Sequence, residues 1–412
     1  MDGIGRDVIV VGAGLAGLGA AHALRDCDTL LLEKAGTHGG RVRTRHQEGI
    51  RYDLGAVFAF DPELLPPHTE TPRHIPQSGS VGAHWQGHAW FGQDVADCLS
   101  HIPFQDNELE RLISFVGDGG HNLATLPPAP RRLVNAFFQL IHPGEMEDYL
   151  PARRLDAFIT FASGRYATGN GALVDSYANK IEASLQYRVD VTEIRDTGNE
   201  VIVTAFHHGQ RIQLRTRAVI CATPANAAAQ LLVDTNGASR HFLEQVRYGK
   251  GSVTVLAIPN HLLRSFQYIA TPELSTTTIV RQHCATQDIA LLYFYYMGAK
   301  SAEVSRIPLT QRVDTALDAL NALGIGTVDR SAVRFADYQH WRSLSPIISG
   351  DSYGNWHEDM LRPSPRVILA GDYTYVDSRH LMPYGMAAAL RSGQRAASSA
   401  LRILAGDGRA QR

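Results

Sequence analysis

Cysteine is scarce in this 412-residue chain. Cys27, Cys98, Cys221 and Cys284 are scattered along it, with no CxxC pair. They outline neither a dithiol redox centre nor a zinc ribbon, and no secreted disulfide framework. Charge of one sign is also missing: 39 Lys+Arg stand against 41 Asp+Glu, a formal net charge of −2. No global basic field therefore recruits nucleic acid. No apolar run reaches membrane-spanning length. The first apolar stretch begins a few residues from Met1, which leaves no room for a signal peptide. The closing stretch LRILAGDGRAQR is too short and too charged to anchor in a membrane. The 18 histidines come without HxH, HExxH or paired Cys/His spacing, so no metal is expected. His207-His208 is expected in an exposed hairpin turn. These absences predict a cytoplasmic protein with no nucleic-acid partner and no membrane anchor; a small-molecule substrate is the expected partner, and a homodimer is left open.

What the chain does have is concentrated near its start. VIVVGAGLAGLGAA, Val8 to Ala21, is an apolar strand running into glycines and then into a small-residue helix. Gly12 allows the tight turn, Gly14 lets the backbone approach a pyrophosphate, and Gly17 lets the helix pack on the strand. Ala16 lies in the first helical turn, whose N–H groups and dipole favour phosphate. TLLLEK follows, and Glu33 falls 21 positions after Gly12, where a second-strand carboxylate accepts ribose hydroxyls, with Lys34 beside it. Strand, turn, helix and acid together predict a dinucleotide site. No other stretch repeats the pattern: GNGALV, GKGSVT and GIGTVD lack the third glycine or the preceding strand. A second nicotinamide domain is not expected, and reducing equivalents should come from the substrate. With 44% hydrophobic and 19% charged residues, a chain of this length predicts two intertwined domains.

The next segment narrows the dinucleotide. AGTHGGRVRT carries Gly39, Gly40, Arg41 and Thr44, and YDLGAVF carries Asp53, Gly55, Ala56, Val57 and Phe58. Two glycines permit close backbone approach, and a guanidinium can grip diphosphate oxygens with a forked pair of hydrogen bonds. Here the chain resembles the flavin amine oxidase superfamily, which includes monoamine and polyamine oxidases, protoporphyrinogen oxidase and phytoene desaturases. The resemblance implies FAD rather than NAD. It extends to the block 165–225, where Val191 would lie against the adenine through its backbone. It also covers RVILAGDYTYVDSRHLMPYGMAAALRSG, where Asp372 would meet the ribityl or pyrophosphate region. There the helix led by Gly385 and Met386 would point its N-terminus at the flavin.

The expected fold is α/β: a Rossmann-type FAD-binding domain intertwined with a substrate domain of mixed sheet plus helices. Residues 1–60, 165–245 and 361–412 would form the first, and 61–164 and 246–360 the second. Asp61 to Gly92 reads as an irregular excursion ending in a hairpin around GHAWFGQ. From Asp106 to about Ala162, LERLISFV and RRLVNAFFQLI have helical spacing, and Thr168 to Leu185 reads as one amphipathic helix. YRVDV to AVICATP alternates as short strands. GSVTVLAI and ALLYFYYM read as strands and LTQRVDTALDALNAL as a helix.

Flavin dehydrogenation asks little of side chains beyond orientation and dryness. The resemblance implies an aromatic cage, for which Tyr353 and Tyr384 are the catalytic candidates, with Trp356, Phe58, Arg379 and His380 as substrate contacts. Three positions depart from the family pattern. The family lysine that holds a water near the flavin falls near Val255, with Lys250 out of register. Ser352 stands where monoamine oxidases attach FAD through cysteine, so FAD should be noncovalent. Phe58 stands where L-amino acid oxidases carry a carboxylate-pairing arginine. The leading expectation is oxidation of a small amine to an imine, with hydride passing to flavin N5. Alternatives are C–C desaturation, as in protoporphyrinogen oxidase, an L-amino acid oxidase, a flavin-dependent mutase, an aromatic hydroxylase, and a noncatalytic flavoprotein.

Overall fold

The computed structural model describes residues 5–58, 74–76, 79–105, 107–158, 164–166, 168–284, 287–374 and 385–410. The first apolar run is the strand Arg6–Val11, and the small residues after it form the helix Leu15–Ala23. The strand lies parallel between Thr29–Leu32 and the C-terminal half of the long strand Gln210–Cys221. Val367–Leu369 continues the parallel sheet beyond Cys221, and Leu185–Gln186 closes the opposite edge beside Leu32. The N-terminal half of Gln210–Cys221 turns to other work, pairing antiparallel with Val201–His207, which pairs with Val189–Asp196. One strand thus ties an antiparallel meander to the dinucleotide-type sheet. His207-His208 sits at the meander's turn, His208 with φ +51°.

Small residues decide how helices cover this sheet. A Cβ on Gly17 would fall 1.8 Å from the Gly12 carbonyl oxygen, and one on Gly393 only 2.0 Å from that of Ala16. Glycine at both places lets the helix Leu15–Ala23 lie flush on the sheet while the C-terminal helix Gly385–Ala410 crosses its back.

A second seven-stranded sheet carries Phe335–Pro346, Tyr248–Pro259, Ile289–Met297, Thr278–Cys284, Tyr268–Ala270, Val81–Trp85 and His88–Gly92, in that spatial order. Ile289–Met297 is buried on both faces. Leu291, Tyr293, Tyr295 and Met297 join the core shared with the first sheet, while Leu292, Phe294 and Tyr296 pack with the helix Leu309–Ala322. The helices Glu108–Gly117 and Pro128–Phe138 lie in the segment where helical spacing was read, and the GHAWFGQ hairpin is present.

Two local expectations change. The helix expected over 168–185 runs only over Gly171–Ala178. Leu185–Gln186 instead extends the parallel sheet, where the Gln186 carbonyl accepts from the Glu33 N–H at 2.8 Å. Edge pairing satisfies backbone groups that one more helical turn would have left over Leu32. The twelve-residue strand Phe335–Pro346 was not foreseen. Its mixed polar residues sit half-buried along a sheet edge, which leaves no clean alternation to read.

Candidate active site

One cavity of about 940 Å³ opens between the two sheets. Gly12, Gly14, Ala16, Glu33, Lys34, Gly40, Arg41, Gly55, Ala56, Val57, Val191, Asp372 and Met386 all line it. Gly17 does not; it lies beneath, pressed on Gly12. These residues come from six separated stretches of chain, 12–16, 33–41, 55–57, 191, 372 and 386, brought together by the turns at the strand ends.

The two glycine turns are stacked on each other. The Gly39 N–H donates to the Ala13 carbonyl at 2.8 Å, and a Cβ on Gly40 would stand 3.2 Å from the Gly14 Cα. Gly12 has φ +101°, which only glycine adopts readily, and its added Cβ would meet the Ala222 carbonyl oxygen at 2.9 Å. Gly14 differs. Its φ of −72° and ψ of 176° suit any residue, and nothing lies within 4 Å of an added Cβ. Neither backbone strain nor packing requires glycine there, and the room a side chain would take belongs to the cavity. The site thus fits a ligand seated against the backbone at the start of the helix Leu15–Ala23.

Glu33 is held at the end of its strand by two backbone donors, Ala13 N–H at 2.7 Å and Ala35 N–H at 2.8 Å. Beside it, Val189–Asp196 has a β-bulge between Val191 and Glu193, the device that re-aims a strand at a site edge. Lys34 pairs with Asp190 at 3.0 Å. The guanidinium fork of Arg41 closes on Asp372, at 2.9 and 2.8 Å, and also donates to the Leu344 carbonyl at 3.0 Å. Burial disfavours the charge on Arg41, but the Asp372 carboxylate, with Tyr248 beyond it, outweighs this and lifts its pKa above the ordinary value. The fork read from the sequence as a diphosphate grip is therefore engaged with a carboxylate across the cavity.

Aromatic residues are placed differently from the expectation. Tyr353 is fully buried away from the cavity lining; its hydroxyl donates to the Tyr373 carbonyl at 3.0 Å and its ring meets Phe242 edge-on. Trp356 packs half-buried against the main core and is also absent from the lining. The helical turn Gly350–Tyr353, capped by Ser349, aims both residues into the core. Phe58 does line the cavity, joined by Leu140, Ile141, Tyr295, Met297 and Trp341. Tyr384, Arg379 and His380 lie outside the described residues. Tyr295 and Met297 were missed because ALLYFYYM is apolar on both faces and gives no signal of which side meets a ligand. Val255 is wholly buried and Lys250 is exposed at a bulge. Ser352 donates to the Gln245 carbonyl at 2.6 Å. Among the described residues no His, Cys, Asp or Glu group could hold a metal ion, and no helix is long and apolar enough to cross a membrane.

A strand–glycine turn–helix unit whose cavity continues into an apolar wall on a second sheet defines a Rossmann-type nucleotide-cofactor protein. Residues 91–401 match the family described as flavin containing amine oxidoreductase, and residues 10–69 match the NAD(P)-binding Rossmann-like domain. The chain belongs to the flavin-containing amine oxidoreductase family and is a flavin-dependent oxidoreductase. Its fold is similar to that of cyclohexylamine oxidase from Brevibacterium oxydans IH-35A. That match has a TM-score of 0.80 at 18% identity, covering 97% of this chain and 100% of the other. Wild-type putrescine oxidase bound to putrescine matches with a TM-score of 0.72 at 16% identity, over 97% and 99% of the two chains. A structure from Exiguobacterium sp. 255-15 assigned as a protoporphyrinogen oxidase matches with 0.76 at 14%, over 96% and 99%. By sequence, a carotenoid 3,4-desaturase from Haloarcula japonica (strain ATCC 49778) is 41% identical over 63 residues. That stretch is 15% of this chain and 13% of the desaturase.

Proposed function

We propose that this protein binds FAD noncovalently and oxidises the C–N bond of a small amine without an α-carboxylate, giving an imine that hydrolyses in water. The observation that carries this reading is the single cavity that joins the Glu33 and Gly14 turns to the apolar residues Phe58, Ile141, Tyr295 and Met297. Glu33 and the Val191 backbone would hold the adenosine end, the Gly14 and Gly40 turns the diphosphate, and the N-terminus of Gly385–Ala410 the ring. When bound, the flavin supplies a two-electron acceptor; the amine loses two electrons and two protons as its C–N bond becomes C=N.

The chain's own residues orient and dry the substrate. Phe58, Leu140, Ile141 and Met297 exclude water, and Phe58 offers no cation to a substrate carboxylate. Tyr384, adjacent to the cavity-lining Gly385, is proposed as a cage residue, with Arg379 and His380 as outer contacts. Tyr353 supports the site from behind. None of the four cysteines lines the cavity, which supports noncovalent binding. Residues 1–60, 165–245 and 361–412 form the proposed cofactor domain, and a cytoplasmic location remains part of this reading.

C–C desaturation is the second reading, favoured by the 63-residue similarity to a carotenoid desaturase and by valine in place of the family lysine. Turnover with an alkyl or cycloalkyl amine and an electron-accepting dye tests the choice. Equal amounts of carbonyl product and ammonia are expected, with little reaction from L-amino acids. Rapid oxidation of an L-amino acid would contradict the reading. Acid or heat should release intact FAD; flavin remaining on the denatured chain would contradict noncovalent binding.

A further inference from the structure

The apolar wall of the cavity has a definite geometry. Across three adjacent strands, Gly251 lies opposite both Met297 and Trp341, and Val253 lies opposite both Tyr295 and Gln339. Residues two apart on a strand share a face, so Tyr295, Met297 and Trp341 project from the same side of the sheet. A Cβ on Gly298 would meet Glu145 Oε1 at 2.7 Å and Gln139 Nε2 at 3.6 Å. The segment carrying Leu140 and Ile141 is thereby set against the end of Tyr295's strand.

The indole and the carboxylates of this cavity are engaged within the protein. Trp341 Nε1 donates to the Leu54 carbonyl at 2.8 Å. The three carboxylates that line the cavity among the described residues are occupied too: Glu33 by two backbone N–H groups, Asp190 by Lys34, and Asp372 by Arg41. The Tyr295 hydroxyl differs. The residue lines the cavity and is only 7% exposed; its carbonyl accepts from the Thr277 N–H at 2.7 Å, while its hydroxyl bonds no other described residue. The hydroxyl is not among the fully enclosed polar atoms that lack a partner, so it stands open to the cavity, and a ligand that displaces water from it must bond it in water's place.

We propose that the Tyr295 hydroxyl anchors the substrate nitrogen and that the cavity takes a monoamine with an apolar body rather than a diamine. This rests on the C–N reading above. The hydroxyl can accept an N–H from the neutral amine or donate to its lone pair, and a second ammonium would find no free carboxylate among the described lining residues. Burial, with Tyr293 and Asp53 nearby, pushes the Tyr295 pKa well above its ordinary value of 10, so the anchor keeps its proton where simple amines lose theirs.

The test compares the flavin-loaded wild type with Tyr295→Phe, anaerobically at high pH. Benzylamine and toluene are the probes. Affinity is read from half-saturation of flavin bleaching or, where nothing bleaches, of the flavin absorbance shift. The variant should bind benzylamine roughly five- to tenfold more weakly, the effect of one neutral hydrogen bond, and toluene equally well. Its flavin content and thermal midpoint should be unchanged, because the hydroxyl bonds nothing described in the protein. The wild type should bind butylamine more tightly than 1,4-diaminobutane. Equal benzylamine affinity in both proteins would overturn the anchor, and a diamine bound at least as tightly as butylamine would overturn the monoamine assignment. Tyr295-dependent binding of benzylamine without bleaching would remove the oxidation reading and leave the anchor. Bleaching with unchanged affinity would do the reverse.

Discussion

Gly14 separates ligand binding from folding more cleanly than any other residue here. Its backbone conformation suits a side chain and an added Cβ meets nothing within 4 Å, so Gly14→Val should fold with little loss of stability. The new side chain would occupy the room proposed for the diphosphate, and the purified variant should be colourless. Flavin content by absorbance, set beside the thermal midpoint of the flavin-free wild type, checks this; full flavin content would contradict the phosphate assignment. The glycine turns and Glu33 were legible in the sequence because their constraints are local: a positive φ, a close backbone contact, a strand-end carboxylate. Tyr353 and Tyr295 were not. Which of several buried tyrosines faces a cavity depends on register and sheet pairing between distant segments. Arg41 shows the same limit, since its Asp372 partner lies 331 positions away.

Elements were readable where hydrophobic period and small residues agreed. The helix Leu15–Ala23 is short and made of small residues, and it forms because it is sandwiched between sheet and C-terminal helix. Gly393→Val tests that packing. Its Cβ would start 2.0 Å from the Ala16 carbonyl oxygen, a backbone atom that cannot give way. The variant should lose about 3 kcal/mol or more of stability, seen as a lowered denaturation midpoint in flavin-free protein; an unchanged midpoint would refute the close crossing. The strand Phe335–Pro346 escaped the sequence because an edge strand with half-buried polar residues carries no strict alternation. The expected helix over 168–185 was cut short by a strand pairing that local sequence does not encode.

At the scale of the whole molecule, the two sheets share one core, and a buried ionisable pair sits within it. His142 and Asp156 are both nearly inaccessible, with Nε2 and Oδ2 2.8 Å apart, and Phe138 stacks on the imidazole. Burial lowers the His142 pKa below 6.5 despite the carboxylate beside it. The unfolded chain therefore takes up a proton below about pH 6.5 that the folded protein refuses. Stability from this group is full above that pH and declines as pH falls, by at most about 1.4 kcal/mol per unit. Denaturant titrations between pH 7 and 5 should give a shallower decline in His142→Gln than in the wild type; parallel curves would contradict it.

Above all, this cavity is proposed to oxidise amines with a bound flavin. Anaerobic mixing of the purified protein with an amine lacking an α-carboxylate, NADPH, and a cyclic alkene tests it most directly. The amine should bleach the oxidised-flavin absorbance within the mixing trace, and NADPH should not, since the sequence carries no second GxGxxG pattern. Bleaching by the cyclic alkene with none by any amine would contradict the claim and establish desaturation instead.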